Sequence, residues 1–251
     1  MVLTYASFMS QFKPIPSLGL RSTTRWLEKG NNKTYKKQML ASEHEVIKDS
    51  RESYPAQEEL LKLVLEDKGI LHTRPSTYTP LVRSSLLVKE DLCIMLDSDK
   101  GYQLSAAAVY SPSNWKLAEK FKQNMAEIHQ KVPGWDEEMN KKVDHVFRGL
   151  SPERILERHN WSIYTDPTLY QPKKLPGKEF YLRIERQTIR KLERSKGIVF
   201  TIGVHVDSLE EVLKDEHIAG DLKQAIAGLP QEVLDYKEMN YDYKRKKAHI
   251  S

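Results

Sequence analysis

The 251-residue chain has a single cysteine, Cys93. One thiol excludes an internal disulfide, a zinc site built on several cysteines and a four-cysteine iron–sulfur cluster. No stretch approaches ~18 consecutive apolar residues, so no helix is expected to cross a bilayer. The first fourteen residues lack a basic region followed by a long apolar one and do not read as a signal peptide. With one thiol and no targeting segment, a cytoplasmic protein is expected. Charge of one sign is missing too: 40 Lys and Arg stand against 35 Asp and Glu, a net +5 with the signs interleaved. The only four-residue basic run, 244–247, reads as a solvated tail. With no zinc-finger, Walker or RNP pattern beside it, no nucleic-acid partner is expected.

Familiar catalytic signatures are absent as well. None of the eight histidines pairs as His-x-x-x-His, so a zincin site is not signalled. Neither a P-loop nor a Gly-x-Gly-x-x-Gly turn is present to cradle phosphates. There is no Gly-x-Ser-x-Gly, and Cys93 lies inside an apolar run, so a nucleophilic hydrolase is not signalled either.

What is present is a clear order of elements. Helical periodicity marks 35–47 and 57–66, the latter with Leu60, Leu61, Val64 and Leu65 on one stripe. Two strands, 91–96 and 102–110, flank an Asp/Gly-rich turn and read as a hairpin. A helix is expected over 113–129 with Ser113 as its N-cap, and another over 135–147 with Asp136 near its start and Gly149 at its end. Ser151, Pro152 and Glu153 read as the start of a short third helix. Strands are expected at 161–164, 179–192 and 197–207, and helical pieces at 208–214, 221–227 and 230–237. This order suggests an α+β fold: a PAS-like five-stranded antiparallel sheet with helices inserted after the second strand. Residues 1–80 would form an N-terminal helical extension, 81–210 the core, and 211–251 the C-terminal helices and basic tail.

The densest polar strand segment is 182–188. Alternation puts Arg183, Glu185 and Gln187 on one face, and Arg186 and Thr188 on the other with Phe180, Leu182 and Ile184. An apolar face ending in Arg186 would set a guanidinium at a cavity edge, where a carboxylate is its natural bidentate partner. An edge strand decorated with Arg–Glu pairs is the plainer alternative. On the next strand Thr201 shares a face with Val199, Gly203, His205 and Asp207. His129, ahead of the Pro133-Gly134 break, has the chemistry of a haem ligand or of a helix C-terminal histidine. His145 competes for the ligand role; His159 and His205 are weaker candidates. Asn160 and Trp161 place an amide beside a large aromatic, suited to a polar contact in an apolar pocket or to core packing.

Five ordered blocks carry a family resemblance: 18–21 (LGLR) with Trp26; 89–93 (KEDLC); Pro112, Ser113, Asn114 and Trp115 running through Ile128 and His129 to 132–134 (VPG); Asn160, Trp161 and Ser162 with Asp166, Pro167 and 170–172 (YQP); and 183–188 (RIERQT) followed by 197–202 (GIVFTI). Together they resemble the haem-dependent oxidative N-demethylase family over about residues 18–237. The resemblance implies a PAS-like fold holding haem b, with a small alkylamine and dioxygen bound at the iron. It implies electrons delivered from NADPH through FMN and a [2Fe–2S] cluster on a separate reductase partner, in keeping with one cysteine. It points to His129, with His145 as alternative, as iron ligand; to Arg183, Glu185 and Arg186 as catalytic groups; and to Asn160, Trp161, Gln187 and Thr201 around the cofactor. A non-catalytic haem-binding sensor or carrier of the same fold is the alternative. The chain departs from the family pattern at Asn114, where Arg is expected, and in the short 173–178 loop.

Overall fold

The computed structural model describes residues 19–71 and 75–239. The basic run at 244–247 and Leu18 of the first resemblance block lie outside the described residues. One antiparallel sheet of seven strands organises the chain: β1 (Arg21–Thr23), β2 (Ile47–Asp49), β3 (Asp91–Leu96), β4 (Gln103–Ala108), β5 (Ile155–Tyr164), β6 (Tyr181–Lys191) and β7 (Ile198–Ser208). Their order across the sheet is β1-β5-β6-β7-β3-β4-β2. The expectation of five strands is therefore corrected to seven. The two additions, β1 and β2, are three-residue edge strands, too short to show a period-2 pattern. They exist because β5 and β4 offer them free edges, with Arg21 opposite Glu157 and Ile47 opposite Ala108.

Both long hairpins form as their patterns demand. The turn between β3 and β4 closes through Ser98 and Gly101, whose φ of +85° only glycine adopts without strain. Between β6 and β7 the loop is fastened by Glu59, whose carboxylate accepts from the backbone N–H of Arg194 and Ser195 at 2.8 and 2.9 Å.

Helices cover both sheet faces. On one face lie α1 (Lys33–Met39), α2 (Glu43–Val46), α3 (Tyr54–Asp67) and α4 (Pro80–Ser85). Leu60, Leu61 and Val64 of α3 are buried on the expected stripe, and the first and last join Leu92, Ile94 and Val199 in one core cluster. Burying each such side chain contributes roughly 1.5–3 kcal/mol. Further along that face, α8 (Leu209–Val212), α9 (Glu216–Ala227) and α10 (Gln231–Tyr236) pack on Ile163, Leu182 and Ile184. Three helices between β4 and β5 cover the other face: α5 (Leu117–Lys120), α6 (Met125–His129) and α7 (Glu137–Gly149).

Here the sequence expectation needs two corrections. The single helix expected over 113–129 is two short ones. Lys122 takes a φ of +66°, which breaks helical continuity, and α6 restarts with a capping box in which Asn124 and Glu127 bind each other's backbone N–H. Likewise, 151–153 is a turn rather than a helix, closed by Arg154 N–H on the Ser151 carbonyl. The chain then enters β5 at Ile155, six residues before the expected strand start. In α7, by contrast, Asp136 stands near the helix start as expected, and as its N-cap accepts from Met139 N–H at 2.8 Å.

Candidate functional site

Between the helical cover α5–α7 and the sheet lies a cavity of about 420 Å³. Alternation decides which side chains reach it. In β6 the odd residues Arg183, Glu185, Gln187 and Ile189 line it. The register sets Ser162, Asn160 and Arg158 of β5 opposite Arg183, Glu185 and Gln187, and Ile202 and Phe200 of β7 opposite Gln187 and Ile189. One end of the lining is apolar, with Met95 and Leu104 facing Met139, Val143 and Phe147 of α7. The other end is polar and is closed by Tyr236 and Lys237.

That polar end is a connected network. Arg183, 2% exposed, donates Nε–H to Ser113 Oγ at 2.9 Å, and Nη2 reaches the carbonyls of Ser111 and Leu169 at 2.9 Å each. Ser113 Oγ–H donates in turn to Glu185. The Glu185 carboxylate also accepts from Gln187 Nε2 at 2.8 Å and Asn160 Nδ2 at 3.3 Å. Asn160 Oδ1 accepts from Lys237 Nζ at 2.8 Å, and the same ammonium donates to the Trp161 carbonyl at 2.6 Å. Burial pulls the Lys237 pKa down to about 8, against the pull of the Glu185 charge.

His129 stands at the end of α6 on the cavity wall. Its ring stacks on Trp135, with centroids 3.8 Å apart and planes 10° from parallel. Nδ1 lies 2.9 Å from the Met125 carbonyl. A carbonyl only accepts, so Nδ1 carries the hydrogen and Nε2 keeps its lone pair. Desolvation lowers the His129 pKa to about 4, with Arg158 and Lys120 adding to the effect. The imidazole is therefore neutral at pH 7. A neutral ring with one nitrogen tied to a backbone carbonyl is an arrangement common among metal-ligating histidines.

Three buried polar atoms of lining residues have no hydrogen-bond partner among the described residues: Arg158 Nε, Ser162 Oγ and Trp135 Nε1. Buried donors are normally satisfied, so such orphans around one cavity mark a place where a ligand's acceptors belong. Among the described residues no three His, Cys, Asp or Glu side chains gather as a site for a bare metal ion. A haem, which needs a single axial imidazole, apolar walls and cations for its carboxylates, fits what is present.

Of the residues singled out from sequence, His129, Asn160, Trp161, Arg183, Glu185 and Gln187 all line this cavity. Trp161 is shared with the opposite face, where it packs against Ile163, Leu182 and Ile184. Arg186 and Thr201 are placed elsewhere. The apolar face that ends in Arg186 turns to the far side of the sheet, so that guanidinium does not line this cavity. It binds Glu157 through Nε at 2.6 Å and the Trp26 carbonyl at 3.0 Å, tying the N-terminal segment to the sheet. Thr201 Oγ lies 2.6 Å from Thr188 Oγ on that same far face. His145 is exposed, because α7 buries Met139, Val143 and Phe147 and residue 145 falls between them on the solvent side. His159 shares the register position of Arg186. His205 binds Glu28 at 2.9 Å and Lys89 at 3.1 Å.

Sequence reading missed Arg158, Ser162, Trp135 and Lys237, and assigned Ser113 to capping. The Arg158 position was readable had β5 been started at Ile155, since 156, 158, 160 and 162 then share one face. Lys237 had no local signal, because its partners are 76 and 77 residues away.

The fold and site thus define an α+β sheet protein with a half-apolar cavity, one neutral imidazole in its wall and one unsatisfied guanidinium N–H, that of Arg158, among its lining groups. Residues 67–245 match the family described as haem-dependent oxidative N-demethylase, alpha subunit-like. That is most of the chain, and the chain belongs to this family.

Proposed function

We propose that the chain is a haem-bearing oxidative N-demethylase subunit acting on a small N-methylated amine. The observation that carries this reading is His129: neutral, oriented by the Met125 carbonyl, stacked on Trp135 and presented to the cavity with Nε2 unprotonated. His129 would hold the iron, and Lys120 and Lys131, on the same stretch of the lining as His129, would meet the haem carboxylates. Bound haem would supply dioxygen activation. The net reaction takes an N-methyl amine, one dioxygen, two electrons and two protons to the demethylated amine, formaldehyde and one water. Glu185, fixed by Ser113, Asn160 and Gln187, would hold the N–H of an alkylammonium. Met139, Val143, Phe147 and Phe200 would keep water from the reacting end.

The five longer strands, in the order β4-β3-β7-β6-β5 with α5–α7 inserted between β4 and β5, support a PAS-like core. Electrons would come from a reductase partner with NADPH, FMN and a [2Fe–2S] cluster, since Cys93 is the chain's only thiol and is buried. A cytoplasmic location belongs to the same reading. Among the described residues no helix is long and apolar enough to cross a membrane.

The test is spectroscopic. Haem added to the purified protein should give a Soret band with a histidine-ligated signature, and His129→Ala should lose that signature while His145→Ala keeps it. Formaldehyde release from an N-methyl amine with a supplied electron source separates an enzyme from a sensor or carrier. A well-folded protein with no Soret band would end the haem reading.

A further inference from the structure

The polar end of the cavity carries more positive charge than an alkylammonium substrate alone would call for. Glu185 is the single carboxylate lining that end, against Arg158, Lys174, Arg183 and Lys237. Three of these cations are accounted for by the fold. Arg183 is held by backbone carbonyls and Ser113, Lys174 by the carbonyls of Ile163, Lys237 and Glu238, and Lys237 by Asn160 and the Trp161 carbonyl. Arg158 is different. Its Nε is buried and has no hydrogen-bond partner among the described residues, and burial pulls its pKa below the ordinary arginine value. The charge that acts on it is Glu185, one register step away, since Arg158 pairs with Gln187 and Asn160 with Glu185.

We infer that Arg158 is the anchor for a carboxylate on the substrate, and that the cavity takes a zwitterion: an N-methylated amino acid whose ammonium meets Glu185 while its carboxylate meets Arg158. A buried guanidinium N–H left without an acceptor, as Arg158 Nε is, is costly, and a planar carboxylate matches the fork to which it belongs. The two protein groups sit on adjacent strands at diagonal register, side by side on one face, which matches a ligand carrying opposite charges a few bonds apart. A simple alkylammonium would satisfy Glu185 and leave Arg158 unmet. The haem carboxylates would not need Arg158, because Lys120 and the exposed Lys131 would be available to them on the His129 side of the lining.

This assignment rests on the N-demethylase reading, and the experiment separates the two. Haem uptake is scored first from the Soret band. Binding of N,N-dimethylglycine, its methyl ester and dimethylamine is then measured by calorimetry on the haem-loaded protein, and on the haem-free chain should no Soret band form. N,N-dimethylglycine should bind at least tenfold more tightly than either of the others. Arg158→Gln should erase that preference while haem content stays unchanged, and Arg158→Lys should restore part of it. Equal or tighter binding of dimethylamine by the wild-type protein overturns the assignment. So does an Arg158→Gln protein that loses haem but keeps the preference, for then the guanidinium belongs to the cofactor. The methyl ester keeps the comparison decisive if the variants fail to fold. Loss of the Soret band with the preference intact would overturn the haem reading and leave the anchor standing.

Discussion

Replacing His129 with phenylalanine should make the haem-free protein less sensitive to acid. The imidazole has a folded pKa of about 4 against 6.5 in an exposed histidine, because the cavity wall desolvates it. A depressed folded value means that the unfolded chain takes up the proton first. Stability is therefore fully present above pH 6.5 and is lost as the pH falls towards 4. A shift of about 2.5 units amounts to about 3.4 kcal/mol over the whole window. Between pH 7 and pH 5 the part released is up to about 2 kcal/mol. Phenylalanine keeps a flat ring for Trp135 and has nothing to titrate. The measurement is the urea midpoint of both proteins at pH 7 and pH 5. At a slope of roughly 2–3 kcal/mol per molar, the wild-type midpoint should fall by up to about 1 M more than that of His129→Phe. His159, also lowered to about 4, and Asp91, raised to about 6, titrate in both proteins and cancel in the difference. Equal acid shifts in the two proteins would refute a desolvated, neutral His129.

At the alkaline end, Lys36 is buried with Nζ donating to the carbonyls of Ser85, Val88 and Glu90, and its pKa is lowered to about 8 by desolvation. Wild-type stability should gain up to about 3 kcal/mol from this residue between pH 8 and 10.5, a rise that Lys36→Met removes, as urea midpoints across that range will show. Arg183→Met strips the donor from the carbonyls of Ser111 and Leu169 and from Ser113. It should cost about 3–5 kcal/mol and lower the melting temperature by roughly 10 °C in calorimetry. Two glycines should respond in opposite ways. A Cβ on Gly177 would stand 1.7 Å from the Thr165 carbonyl oxygen, so Gly177→Ala should displace the loop that brings Leu169 to Arg183 and lower the melting temperature. On Gly203 the nearest atoms are 3.5 Å away, and Gly203→Ala should be tolerated in the same scan.

Elements whose pattern is local were legible in the chain. The stripe of Leu60, Leu61, Val64 and Leu65 states which face of α3 turns inward, and the structure buries the first three and half-buries Leu65. The alternation of 198–206 divided β7 into its two faces, but both are covered, with Val199 and Thr201 as fully buried as Ile198. The same alternation put Arg183, Glu185 and Gln187 together, which is why half of the polar wall could be read in advance. It could not say which sheet face carries the cavity. That depends on where α5–α7 and the N-terminal helices settle, and so Arg186 was placed on the wrong side. The break at Lys122 was hidden because a non-glycine residue at positive φ leaves no compositional trace. The Asn124–Glu127 capping box was the available clue that a new helix begins there. Around residue 151, a helix-start composition masked the first half of β5, and Arg158 went unseen with it.

The bonds from Lys237 to Asn160 and Trp161 also bear on the order of events during synthesis. Residues 155–208 can fold into their hairpins as they emerge, since their pairings are mostly between neighbours in sequence. The polar end of the cavity cannot close until the segment around residue 237 has been translated and has folded back across Asn160. At ribosomal rates of about 5–20 residues per second, the sheet precedes a finished pocket by a few seconds at most. During that interval the polar end lacks its last wall, so the cavity is a feature of the whole sheet-plus-C-terminal assembly and not of the sheet alone.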